Sequence, residues 1–154
     1  MNAACPVLVV GLGQPERGDD GIGPAVAGQV GSLGLPDVRV VERAEPAGLL
    51  DTWAGARLVV VADAVRSGRP PGTVQVLHAA HGPLLAWAGA ASTHALGLAE
   101  AVELGRALGR LPPDLVIVGI EAGRLDPGDP MSAPVTAAIE TAARTIACIV
   151  RAMR

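Results

Sequence analysis

The sequence predicts a three-layer α/β/α fold, with helices on both faces of a twisted, mostly parallel central sheet of about five strands. Three observations lead there. Continuous apolar runs of strand length recur at Val7–Val10, Leu58–Val61 and Leu115–Ile120. Segments of helical length separate strand-like stretches, and Gly/Pro breaks mark the joints. An uninterrupted apolar run is the signature of a strand covered on both sides, which requires a helical layer on each face.

Taken in order, Val7–Val10 is the first strand, ended by Gly11, and Gly21–Val30 is the helix leaving it. Gly34-Leu35-Pro36 breaks the chain before a second strand, Val38–Val41. Pro46–Ala54 is a short helix, with Pro46 suited to its first turn because the missing N–H has no intrahelical partner there. Leu58–Val61 is the third strand and runs into Ala62-Asp63. Ser67-Gly68-Arg69-Pro70-Pro71-Gly72 is a turn, and Thr73–Leu77, which alternates, is an edge strand with antiparallel character. A helix over Thr93–Leu108, a buried strand over Leu115–Ile120, a Gly/Pro-rich loop over Gly123–Pro130 and a last helix from Pro134 to Arg151 complete the list. No repeat or linker divides the chain, so one domain over 1–154 is expected.

Composition narrows the function. The core must be aliphatic, because Trp53 and Trp87 are the sole aromatic residues. The net charge of −3 is spread out and no lysine is present, so neither a basic stripe nor an aromatic platform offers itself to nucleic acid. The N-terminal apolar run lacks a basic region before it and stops at Gly11, which reads as a strand and not as a signal peptide. No stretch reads as the roughly 20 apolar residues that span a bilayer. A cytoplasmic, soluble monomer without membrane contacts is the expectation. Cys5 and Cys148 make no framework and read as reduced, packed thiols.

The segment Gly11-Leu12-Gly13-Gln14-Pro15-Glu16-Arg17-Gly18-Asp19-Asp20-Gly21-Ile22-Gly23 says most about chemistry. A strand, a Gly-rich loop and a helix usually make a phosphate site, since free N–H groups at a helix N-terminus hold anions. Here a dinucleotide fingerprint would need glycine where Glu16 stands, and a P-loop would need Lys-Ser/Thr where Asp19-Asp20 stand. Two carboxylates repel an anion and attract a cation. In open α/β sheets ligands bind beyond the carboxyl ends of the parallel strands. Asp20 after the first strand, Asp63 at the end of the third, and His94 at the start of the Thr93–Leu108 helix all project from that edge in this reading. Two carboxylates and an imidazole suit a borderline first-row ion such as nickel or zinc.

Each residue also has a plainer role available. Asp19 or Asp20 could cap the helix from Gly21, one capping while the other binds. Asp63 could be a turn residue, and Ser92-Thr93 could cap the helix that carries His94. His78 and His81 form a rival metal pair, but they stand between a strand and Gly82-Pro83 and read as solvated loop histidines. Glu42 and Glu45 belong to the same rim and read as solvated, as do Arg66 and Arg69. No HExxH, Gly-x-Ser-x-Gly or CxxC is present, so conventional zinc-peptidase and serine-hydrolase machinery is missing.

Four motifs in order resemble the hydrogenase maturation endopeptidases: Gly11-Leu12-Gly13 through Asp19-Asp20-Gly21-Ile22-Gly23; Val60-Val61-Ala62-Asp63-Ala64; Ser92-Thr93-His94-Ala95-Leu96-Gly97-Leu98; and Gly119-Ile120-Glu121 with Met131-Ser132-Ala133-Pro134-Val135. The resemblance covers nearly the whole chain. It implies an α/β/α domain that removes a C-terminal extension from the large-subunit precursor of a nickel–iron hydrogenase after nickel insertion. It also implies Asp20, Asp63 and His94 as the metal-contacting, catalytic positions, with nickel supplied by the substrate and no permanently bound cofactor. The chain departs from the family at Gln14, where Asn is usual, and at Glu42–Gly48, which lacks the usual Asp-Gly-Gly-Thr-type turn. A non-catalytic nickel-binding accessory module and a doubly wound nucleotide-binding domain are the alternatives.

Overall fold

The computed structural model describes residues 6–82, 91–92 and 97–154. The elements are β1 (Val7–Leu12), a 3-10 turn (Gly18–Gly21), α1 (Ile22–Ser32), β2 (Val38–Arg43), α2 (Leu49–Thr52) and β3 (Leu58–Arg66). They continue with β4 (Val74–His78), β5 (Ala91–Ser92), α3 (Leu98–Ala107), β6 (Asp114–Glu121) and α4 (Ala133–Met153).

The sheet order is β2-β1-β3-β6-β4, with β5 paired to β3. The pairs β1·β2, β1·β3 and β3·β6 are parallel. The edge strand β4 is antiparallel to β6, and β5 is antiparallel to β3. The mostly parallel five-strand path and the antiparallel edge match the sequence reading. Alternation along the strands sends side chains into two cores. Val7, Val9, Val60, Val116 and Val118 pack with α1 and α4 on one face. Leu8, Val10, Val59, Val61 and Ile117 pack with Leu49, Trp53, Leu98 and Val102 on the other. The two clusters fill both sides of the sheet with aliphatic side chains, as the scarcity of aromatic residues requires.

The strand order reverses between β1 and β3: the chain goes from β1 to β2 on one side, then returns to β3 on the other. Such a switch point opens a crevice beyond the strand ends. Every candidate carboxylate must be judged by its distance from that crevice.

Several boundaries differ from expectation for identifiable reasons. β3 runs on to Arg66, because β6 pairs with it as far as Val65↔Glu121 and β5 takes up Val65 and Arg66 on its other side. Asp63 therefore lies inside a strand and does not end one. The short second helix is reduced to Leu49–Thr52, since Gly48 has a left-handed φ of 84° and Pro46 falls outside the helix. α3 starts at Leu98 with Gly97 in the N-cap position, so Ser92 is not its cap. α4 is 21 residues long and, contrary to the sequence reading, is apolar enough by length and composition to cross a membrane. It buries Val135, Ala138, Ala142, Ile146 and Val150 against the sheet and turns Glu140, Arg144 and Arg151 to solvent. Cys148 lies on its exposed side, so that thiol is not packed as expected. Cys5 lies outside the described residues.

Candidate active site

β1 ends at the switch point, and the chain after it is held close. Gly13 N–H donates to the Arg43 carbonyl at 2.9 Å, extending the β1·β2 ladder by one bond. The chain then loops out, re-enters through the 3-10 turn and starts α1 directly above the ends of β1 and β3. Gly23 makes this possible. A Cβ there would collide with the Leu12 carbonyl oxygen and stand 2.6 Å from that of Ala62. The first turn of α1 is thus pressed onto the crevice, and it brings the acidic turn with it.

Asp20 and Asp63 meet at this point. They are 3% and 1% exposed, an unusual state for ionisable groups. Asp20 Oδ2 accepts the Gln14 N–H at 2.8 Å, which ties the carboxylate back to the end of β1. Asp63 shares the parity of Val59 and Val61 and so belongs to the face that packs α2 and α3. Its neighbour across the β3·β6 ladder is Gly119, which adds no side chain beside it. Burial pushes the Asp63 carboxyl well above the usual range, the charge of Asp20 pushes it further, and the Ala64 N–H opposes both weakly. Two carboxyls that repel each other in a dry crevice hold a proton tightly or take a cation instead.

Asp19, next in sequence, faces elsewhere. It is fully buried. Its Oδ2 accepts the N–H groups of Gly123 and Arg124 and the Ser132 hydroxyl, each at 2.8 Å, and its Oδ1 accepts the Ser132 N–H at 2.7 Å. Burial alone would raise its pKa; the four hydrogen bonds more than reverse that and hold it below the usual value. Asp19 directs its carboxylate to the loop before α4, and the N-cap positions of the turn and of α1 are held by Arg17 and Gly21, not by either Asp. Glu121 is a second buried carboxylate of this kind, 1% exposed. It accepts the Ser67 N–H and hydroxyl and the Arg69 N–H, fixing the β3–β4 turn.

Sequence reasoning singled out Asp20 and Asp63 and missed what Asp19 and Glu121 do. The signal for Asp19 was the pairing of two acids, which called for two explanations. For Glu121 it was a carboxylate ending a buried strand opposite a Ser-Gly-Arg-Pro turn rich in unpaired N–H groups. His94 lies outside the described residues. His78 ends β4 and is exposed, so it is a strand residue and not a loop one. His81 stands 3.5 Å from Asp114 and does not join His78 in a site. Glu42 and Arg66 are exposed, while Glu45 accepts a hydrogen bond from the Gln14 side chain at 2.9 Å. Among the described residues no three His, Cys, Asp or Glu side chains cluster as metal ligands.

A buried pair of carboxyls at the switch point of a doubly wound sheet suits a hydrolase more readily than a nucleotide domain, since carboxylates repel phosphate. Comparison with known proteins makes the class specific. The family described as "HycI: Hydrogenase maturation protease" matches residues 37–149. The Hydrogenase 2 maturation protease of Escherichia coli (strain K12) is 30% identical over 149 residues, covering 94% of this chain and 90% of that protein. The chain belongs to the hydrogenase maturation protease family and is a peptidase. Solved structures agree. An endopeptidase from Escherichia coli, solved in solution, has TM-score 0.78 and 31% identity over 94% of this chain and 91% of its own. The hydrogenase maturating endopeptidase HybD from Escherichia coli has TM-score 0.75 and 28% identity over 94% and 91%.

Proposed function

We propose that this protein removes the C-terminal extension of a nickel–iron hydrogenase large-subunit precursor after nickel insertion, and that it recognises the nickel while the precursor holds it. The observation that carries this reading is the buried, mutually repelling pair Asp20 and Asp63 at the β1/β3 switch point. Such a pair gains most from a cation brought to it. His94 is the third contact. Ser92, two residues before it in sequence, pairs with Val65, two residues beyond Asp63.

The chemistry follows from the charges. Asp20, Asp63 and His94 would hold the nickel carried by the precursor, and the ion would supply Lewis acidity for the scissile carbonyl or for the attacking water. Alternatively the ion serves only as an anchor, and one of the two carboxylates accepts a proton from the attacking water. A precursor without nickel leaves the scissile bond unplaced, so cutting waits for metal loading. The enzyme works as a monomer in the cytoplasm, with no ion of its own. Replacing His94 by Ala should abolish shortening of the precursor while the circular dichroism and melting temperature stay unchanged. Normal shortening by that variant would remove His94 from the site. Binding of nickel-loaded precursor by the wild type without any shortening would instead indicate an accessory module.

A further inference from the structure

We infer that Asp19 is a positioning residue: its buried carboxylate clamps the 3-10 turn to the β6–α4 loop and so aims Asp20 into the crevice. The inference rests on the site reading above for its consequence, and on geometry alone for its mechanism. A 3-10 helix advances three residues per turn, so consecutive side chains diverge by about 120°. When Asp19 is held in the β6–α4 loop by Gly123, Arg124 and Ser132, the next side chain must leave the turn in another direction. That direction is where Asp20 Oδ2 accepts the Gln14 N–H at 2.8 Å. Asp20 is thereby fixed from both ends, by Gln14 at its carboxylate and by Asp19 through its backbone.

The clamp is built from both sides. Asp19 N–H donates to the Arg124 carbonyl at 2.6 Å, Gly18 N–H to that of Asp129 at 3.1 Å, and Gly128 N–H to that of Glu16 at 2.8 Å. Gly18 has a φ of 56°, and a Cβ on it would sit 2.5 Å from the Arg124 carbonyl, so the two segments approach as closely as backbone allows. These backbone bonds join the segments, but a carboxylate with four donors is what fills the space between them. An anion has no donor to misplace there. The neighbouring acids divide the work: one faces inward and holds, the other faces the crevice and acts. A turn left to solvent would present Asp20 in many directions, and a site off by about 1 Å loses on the order of a hundredfold in rate.

The test compares Asp19→Asn with Ser132→Ala, which removes one of the four donors, and with Ile146→Ala, a core truncation on α4 far from the site. Two readouts are taken well below each variant's melting temperature. The first is substrate-free: the exchange rate of the Gln14 amide, which reports the Gln14–Asp20 bond. Asp19→Asn should raise it about tenfold or more and Ser132→Ala by a smaller factor, with no change in Ile146→Ala. The second is the rate of shortening of a nickel-loaded large-subunit precursor, with Asp20→Asn as reference. Asp19→Asn should lower the maximal rate about a hundredfold with precursor affinity within about threefold. Unchanged Gln14 exchange in both Asp19→Asn and Ser132→Ala would overturn the inference. So, where Asp20→Asn does abolish shortening, would a loss in Asp19→Asn no greater than in Ile146→Ala. Raised Gln14 exchange with normal shortening in both Asp19→Asn and Asp20→Asn would leave the clamp standing and sink the site reading instead.

Discussion

Asp63 and Asp19 are both buried carboxylates, yet they affect stability in opposite directions. Burial and the charge of Asp20 raise the Asp63 pKa, so between the unfolded and folded values the native state binds the extra proton. Stability then falls as pH climbs through that window, and the cost is complete above it. Asp63→Asn should therefore raise the melting temperature at pH 7, flatten that pH dependence and abolish processing, the usual exchange of stability for function at a strained site. A lower melting temperature at pH 7 would contradict it. Asp19 has its pKa lowered by Ser132, Arg124 and Gly123 against the effect of burial. Its contribution is present above the unfolded value and is lost as pH falls through the folded one. Asp19→Asn should cost about 3 kcal/mol at pH 7 in denaturant unfolding, because buried donors would then face an amide. The difference should shrink in acid. These two acids were legible unequally in the sequence. Asp63 could be singled out because it follows the apolar run of β3, although the strand continues past it; it lies one residue beyond the last pairing with β1, Gly11↔Ala62. Asp19 could not be told from Asp20, since which of two adjacent acids faces inward depends on a loop more than a hundred residues away.

At the scale of elements, the site is made by close approach. α1 reaches the crevice because Gly23 lets its first turn touch the carbonyls of Leu12 and Ala62. Gly23→Ala should destabilise the protein by about 3 kcal/mol by calorimetry or denaturant unfolding, as overpacking against backbone that cannot retreat. A change of less than about 1 kcal/mol would show that α1 can shift away. Strand existence was readable from apolar runs, and the antiparallel edge from the alternation of Thr73–Leu77. The reach of β3 past Val61 was not readable, because its continuation is stabilised by pairing with β6 and β5, which are remote in sequence. Nor could the sequence show how much of α4 would be buried. Its apolar length satisfies two environments equally, and only packing against α1 and the sheet separates them. Ile146→Ala on that helix should cost about 2–5 kcal/mol, reflecting a cavity in the core face.

The whole molecule is a doubly wound sheet whose switch point holds acids where a nucleotide-binding domain of similar topology would hold phosphate. Gly-rich sequence at that place is consistent with either use. The charge of the residues that follow decides it, and here two acids follow the last loop glycine. The central claim is that cutting depends on the metal carried by the substrate. Mass spectrometry of a large-subunit precursor incubated with this protein, with and without nickel loaded, tests that most directly. The account predicts loss of a C-terminal peptide in the nickel-loaded sample and an intact precursor in the other. Equal shortening in both samples would contradict it.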